Sequence, residues 1–282
     1  MPVPFVLITD STADLPHSLA AERRLYVAPL HVLWGQDNLK DGVDITIEQF
    51  HARLATEPEL PTTSQPSPNE FAELYQQARD ETDAQAALVM TISADLSGTY
   101  SSAVQAVRMV DFPVRVVDVR TVSVGTGLAV LKVAEARDEG ATLDEATRLA
   151  ESLTTRTRLI FTLDTLEYLH KGGRIGGARH LLGTALNIKP ILQVVDGKIE
   201  PRESVRTRKK AVTRLAEICQ EEIDPAKPTY IAVLHSRAFD EAQALAAAIT
   251  EHHQPAYLIT AEVGPTIAVH AGPGAVGFAL LQ

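Results

Sequence analysis

Near residue 155 the chain changes rhythm. Before that point, short apolar runs alternate with amphipathic segments that open on helix-capping residues. Residues 4–9, 86–92 and 114–119 read as buried strands. Thr46 with Gln49, Ser67 with Pro68 and Glu70, and Thr142 with Glu145 each carry the side chains of a capping box. Strands alternating with helices predict βαβ units and a parallel sheet. After Arg158 the pattern differs. A strand at 159–163 leads into a glycine-rich helical stretch, 165–187. Two runs, 188–195 and 198–205, then flank Asp196-Gly197, a strong short-range hairpin signal. Helices at 207–222 and 239–253, strands at 230–234 and 257–262, a short helix at 266–270 and a strand at 275–281 complete the chain. A hairpin within such a series requires a mixed sheet. The expected fold class is therefore α/β. A mainly parallel N-terminal α/β domain is expected over 1–156, and an α+β domain with a mixed or antiparallel sheet over 157–282.

Local signals refine this reading. Asp14, two residues before Pro16, is expected to cap the helix that follows the first strand. Residues 25–34 read as one strand, and 58–68, with four prolines, as an extended loop. A polar turn at 93–98 leads into a helix over 99–110, and 123–139 reads as a long helix ended by Gly140.

Composition narrows the function. In 282 residues, 45% are hydrophobic, which supplies a core and excludes global disorder. Lys and Arg number 26 against 36 Asp and Glu, a net charge of −10, which disfavours nonspecific nucleic-acid binding. A single cysteine, Cys219, allows neither an intrachain disulfide nor a cysteine-rich zinc site and fits a cytoplasmic setting. No signal peptide and no apolar stretch of about 20 residues is visible.

Several motifs fail on context. Gly272-x-Gly274-x-x-Gly277 matches the dinucleotide fingerprint in letters, but a strand rather than a helix is expected after it. The segment 171–177 lacks the spacing of a phosphate-binding P-loop, and no nucleophile elbow or H-E-x-x-H occurs. His252-His253 are adjacent, so they do not present two ligands on one helical face. Asp10, Asp14, Asp95 and Asp118 sit near strand ends, where capping and turn formation explain them better than a metal does. No metal site is expected.

Two hydroxyl-rich segments remain, Pro61-Thr-Thr-Ser-Gln-Pro-Ser67 and Ser93-Ala-Asp-Leu-Ser-Gly-Thr-Tyr-Ser-Ser102. The second follows a strand and opens a helix, where open parallel sheets bind ligands. Helix-start N–H groups and serine hydroxyls can hold an anionic oxygen without lysine or arginine. Ser93, Asp95 or Ser97 can equally cap the helix. His270 stands in an apolar stretch of small residues, which permits close approach of a ligand or backbone. Arg206, Arg208, Lys209 and Lys210 cluster at an expected helix start, opposing the helix dipole. Glu217, Glu221 and Glu222 are misplaced in the same sense at the other end. A basic start on an acidic protein reads as a docking patch for an anionic partner.

Taken together, Thr9-Asp-Ser-Thr-Ala-Asp-Leu-Pro16, Thr63-Ser-Gln-Pro66, Leu96-Ser-Gly-Thr-Tyr100, Lys171-Gly-Gly-Arg-Ile175, Asn187-Ile-Lys-Pro190, Arg206-Thr-Arg-Lys-Lys-Ala211 and His270-Ala-Gly-Pro-Gly-Ala-Val-Gly277 resemble the DegV family. Seven motifs in order span nearly the whole chain. The resemblance implies two domains with one long-chain fatty acid buried between them. It implies a noncatalytic carrier that presents the carboxylate to a separate fatty acid kinase subunit, which uses ATP to form an acyl phosphate for phospholipid synthesis. The carrier itself is expected to need no cofactor. Transient membrane contact for acyl exchange is compatible with that role, and nucleic acid is not an expected partner. Carried over residue by residue, the carboxylate contacts fall on Thr63 and Ser97, with His270 close behind. Ser64 and Gly98 are supporting candidates, and Arg206 matches an arginine of the kinase-facing side. The competing enzyme reading is a hydrolase or acyltransferase using Ser97 as nucleophile and His270 as base. A transcriptional regulator is a third reading, disfavoured by the acidic balance and the lack of a basic recognition helix.

Overall fold

The computed structural model describes residues 4–182 and 188–282. Asn187, the first residue of one family motif, lies outside them. In chain order the strands are β1 (Val6–Asp10), β2 (Leu25–Ala28), β3 (His31–Trp34), β4 (Asp37–Lys40), β5 (Thr62–Ser64), β6 (Ala87–Thr91), β7 (Val114–Asp118), β8 (Thr157–Thr162), β9 (Lys189–Val195), β10 (Lys198–Val205), β11 (Tyr230–His235), β12 (Tyr257–Glu262) and β13 (Val276–Leu281). The α-helices are α1 (His17–Glu22), α2 (Ile47–Leu54), α3 (Pro68–Thr82), α4 (Thr99–Ala106), α5 (Val124–Asp138), α6 (Leu143–Leu153), α7 (Glu167–Lys171), α8 (Arg208–Glu222), α9 (Phe239–His252) and α10 (Pro265–Ala271).

Strands β2-β1-β6-β7 form an all-parallel sheet. Six later strands form a mixed sheet in the order β10-β9-β8-β13-β11-β12, whose only parallel pair among the described residues is β11 with β12. The fold class is thus α/β, with one parallel and one mixed sheet. The β9–β10 hairpin turns on Asp196 and Gly197, both at positive φ (50° and 82°), the conformation a two-residue turn of this kind requires. All three capping boxes form, at Thr46/Gln49, Ser67/Glu70 and Thr142/Glu145.

Helix α5 packs against both sheets and is buried on nearly every side, which explains its weakly amphipathic sequence. One continuous core joins Leu7, Leu88 and Met90 of the parallel sheet, with Phe5 just before it, to Leu159, Phe161, Leu234 and Ala279 of the mixed one. Each fully buried side chain of this size contributes roughly 1.5–3 kcal/mol from area alone. A second core lies on the far face of the mixed sheet, under α8 and α9.

Several local expectations need correction. Residues 25–34 are two strands in different sheets, because Pro29 has no N–H to continue a ladder. The proline-rich stretch contributes β5, which pairs with β3 in a small antiparallel sheet, order β4-β3-β5. The helix from Thr99 ends at Ala106 and tightens into a 3-10 turn, Val107–Met109. Over its described residues, 165–182, the glycine-rich stretch holds α7 and a 3-10 turn, Gly176–Leu181, rather than one helix, and its remainder, 183–187, lies outside them. Asp14 does not cap α1, whose N-cap is Pro16. It adopts a left-handed conformation (φ 49°) after the turn Ser11–Ala13, which is capped by Asp10, and its carboxylate reaches Ser123 and Gly264. Arg206 precedes α8, whose N-cap is Thr207, so three cations rather than four enter its first turn. The carboxylates at the other end are paired, Glu217 and Glu221 with Arg214 and Glu222 with Arg202.

Candidate functional site

The loops that follow β1, β6 and β7 leave the carboxyl ends of parallel strands. The chain leaves β1 for β2 on one side and reaches β6 on the other. This is the switch-point geometry at which open parallel sheets bind ligands. Thr12, Ile92, Leu96, Ser97, Val122 and Ser123 from these loops line a cavity of about 80 Å³. The mixed sheet supplies the opposite wall through Leu159, Phe161, Ile199 and Leu234. Helix α10 closes one side with Thr266, Ile267 and His270. The lining is predominantly aliphatic and aromatic, with the polar groups few and placed.

Thr63 lies in the middle of β5, opposite Val32 of β3. Alternation along a strand sends successive side chains to opposite faces. Thr63 therefore reaches the cavity, and its Oγ1 is 2.9 Å from His270 Nε2. Ser64 faces the other way and donates to the Gln65 carbonyl at 3.2 Å. Gly98 is the N-cap residue of α4 and abuts the Gln65 side chain. Neither Ser64 nor Gly98 lines the cavity. Ser97 does, and it also makes the cap contact that its position allows: its Oγ accepts from the Thr99 N–H at 3.3 Å and lies 2.8 Å from Thr99 Oγ1. Ser93 is turned elsewhere, donating to the Gly197 carbonyl at the hairpin tip (2.8 Å).

His270 sits one residue from the end of α10, on a half-buried ring. Gly172 makes room for that ring: a Cβ there would lie 2.1 Å from His270 Nδ1. Burial pushes the imidazole down to about 4, and the nearby Arg174 guanidinium adds to the shift. The ring is therefore neutral at pH 7. Its Nε2 contacts Thr63 and not Ser97, so no nucleophile–base pair of serine and histidine forms here.

Sequence alone gives Arg174 no role, although it falls within a family motif. Its side chain lines the cavity, with Nε donating to the Leu96 carbonyl (3.0 Å) and Nη1 to the Gly172 carbonyl (2.8 Å). The reading that the polar end needs no arginine thus misses a fixed positive charge beside it. Only the fold brings Arg174 next to the loop after β6, so no local pattern flagged it. Arg206 is exposed, outside the cavity lining, and with Lys209 and Lys210 makes no ion pair among the described residues. Arg208, by contrast, is held by Glu241 and Asp164.

Among the described residues no cluster of His, Cys, Asp or Glu is arranged to hold a metal. Asp10 accepts from Thr12 and from the Ile92 N–H, Asp95 pairs with Lys198, and Asp118 accepts from the Arg120 N–H. No helix among them is long and apolar enough to cross a membrane.

A family model described as "Uncharacterised protein, DegV family" matches residues 4–282. A DegV domain-containing protein of Streptomyces coelicolor is 41% identical over 272 residues, covering 96% of each chain. The solved structure of a DegV family protein from Thermus thermophilus, described by its fatty acid binding, is 35% identical, with a TM-score of 0.93 and coverage of 100% of both chains. A Thermotoga maritima protein whose structure is described as revealing a fatty acid binding function is 30% identical, with a TM-score of 0.89 and coverage of 99% of each chain.

Proposed function

The chain belongs to the DegV family, and on that premise we propose that it binds one long-chain fatty acid in the cavity between its sheets and presents the carboxylate to a separate kinase subunit. One observation carries the reading. A mostly apolar cavity is lined by Thr63, Ser97 and His270, with the Arg174 guanidinium among its polar groups. Relatives whose structures are described by fatty acid binding share the fold over the whole chain and support it.

The physics suits such a ligand. Each buried methylene is worth roughly 0.8 kcal/mol, so about 15 of them give on the order of 12 kcal/mol before ordering costs. Sites for ligands of this size commonly hold about 300–1,000 Å³. A cavity of about 80 Å³ is smaller, so the acyl chain is accommodated by a parting of the apolar walls. At the polar end a neutral His270 protonated on Nε2 donates to Thr63 Oγ1, which frees the threonine proton for the carboxylate. Ser97 supplies a second hydroxyl. Two neutral donors hold the head without covering both oxygens. A carboxylate oxygen thus stays available to bond the γ-phosphorus of ATP on the kinase, with ADP leaving. ATP belongs to the partner; the carrier holds only the acid. Arg206, exposed and unpaired, fits a kinase-facing contact. The protein works in the cytoplasm, feeds phospholipid synthesis, and touches the membrane only for acyl exchange.

The test is chemical extraction of the purified protein, with mass spectrometry of the extract and a thermal shift on adding palmitate. About one fatty acid per chain, or a clear stabilisation by palmitate, is expected. Absence of both refutes the carrier reading.

A further inference from the structure

Helix α10 carries His270, yet it has only seven residues, too few to be stable alone. Its N-cap, Gly264, offers no side chain, and Pro265 has no N–H. The chain caps α2, α3 and α6 with a hydroxyl from the adjoining residue. Helix α10 is held differently. The Gly264 N–H donates to Asp14 Oδ1 at 2.8 Å, and the Thr266 N–H to Asp41 Oδ2 at 3.3 Å. These partners are 250 and 225 residues away in sequence.

We propose that Asp14 and Asp41 are positioning residues, which set the orientation of α10 and thereby hold His270 against Thr63 at the polar end of the cavity. This rests on the fatty-acid reading only for the affinity it predicts.

Three features support the assignment. First, both carboxylates are buried, at 7% and 5% exposure, where a hydroxyl would hold a loop at far lower desolvation cost. Second, each is braced from behind. Asp14 Oδ2 accepts from Ser123 Oγ at 2.5 Å, and Asp41 Oδ2 accepts from Ser11 Oγ at 3.0 Å. Asp14 (φ 49°) and Ser123 (φ 55°) both occupy backbone conformations unusual for their residue types, which the surrounding contacts must maintain. Third, the lever is short. His270 lies four residues beyond Thr266, about one turn or 6 Å along the axis. A tilt of about 10° at the N-terminus moves the ring by about 1 Å, enough to break a 2.9 Å hydrogen bond. The surrounding charges are Asp10, His17, Glu48 and Glu262, which line the cleft beside Asp14 and Asp41. Burial, more than these neighbours, raises the pKa of both aspartates.

The experiment compares Asp14→Asn and Asp41→Asn with Ile249→Ala, a fully buried residue of α9 in the other core. Two quantities are read on the full chain: the NMR titration midpoint of His270, and palmitate affinity by calorimetry. In both aspartate variants the midpoint should rise from about 4 toward the ordinary value of about 6.5, and palmitate affinity should fall by about tenfold or more. Ile249→Ala, at a comparable loss of Tm, should change neither. If Asp14→Asn does not fold, Ser123→Ala removes one brace more gently and should move both quantities in the same direction. An unmoved His270 midpoint in the folded variants overturns the proposal, as does an equal shift in Ile249→Ala. If the wild type binds no palmitate, the fatty-acid reading fails while the His270 midpoint still decides the positioning.

Discussion

Replacing His270 with glutamine should remove a specific part of the protein's acid sensitivity. Burial and Arg174 bring the imidazole from 6.5 to about 4 in the folded chain. The folded state therefore binds fewer protons than the unfolded one between these values. Stability from this residue is complete above about pH 6.5 and is lost as pH falls toward 4. A shift of this size makes the wild type about 2 kcal/mol less stable at pH 5 than at pH 8 through His270 alone, at about 1.36 kcal/mol per unit. That is a ceiling, because the ring keeps partial solvent contact. Glutamine does not titrate, so the variant lacks this loss whatever fixed amount the substitution costs. Urea unfolding of both proteins at pH 5, 6, 7 and 8 gives the comparison, since every other titrating group is common to the pair. The stability gap should narrow by about 2 kcal/mol on going from pH 8 to pH 5. Parallel curves across the range would show that His270 is not a buried neutral base, and the hydrogen-bond chain through Thr63 would lose its basis.

Asp10 titrates in the opposite sense: burial pushes it up to about 6, so ionising it costs stability as pH rises from about 4 to 6. Asp10→Asn should therefore gain on the wild type by about 2 kcal/mol between pH 4 and pH 6, read by extending the urea unfolding series to pH 4. Ser97→Ala and Thr63→Ala should each weaken palmitate binding by about tenfold to a hundredfold, the value of a hydrogen bond to a charged group, without unfolding the protein. Unchanged affinity in the double variant would make these hydroxyls purely structural. Arg206→Ala should leave fatty-acid occupancy intact and lower acyl-phosphate formation by the cognate kinase; if occupancy and turnover fall together on one preparation, Arg206 holds the ligand or the fold instead. Gly197→Ala should lower stability by about 1–2 kcal/mol, because φ is +82° and the new methyl lies 2.4 Å from Ser93 Oγ. A urea midpoint equal to that of the wild type would contradict the docking of the hairpin on the loop after β6.

Local sequence chemistry was sufficient for most of the elements. Capping boxes at Thr46, Ser67 and Thr142 depend on residues three apart, and the Asp196-Gly197 turn on two adjacent φ values, so neighbours alone decide them. The motifs carrying Thr63, Ser97 and His270 were legible for the same reason: each is a short string with a distinctive composition. Other features depend on contacts that no window along the chain contains. Asp14 looks like a helix cap because it precedes Pro16, but Gly264, 250 residues on, supplies a backbone donor that fixes it elsewhere. Residues 25–34 read as one strand, and only the partners available on each side of Pro29 divide them between two sheets. Arg174 has an ordinary basic sequence context, and its bond to the Leu96 carbonyl, in the loop after β6, holds it at the cavity. Spacing along the chain sets how a segment folds locally. Which polar groups share a buried volume is set by how the sheets and α10 close over it, and that depends on the whole core at once.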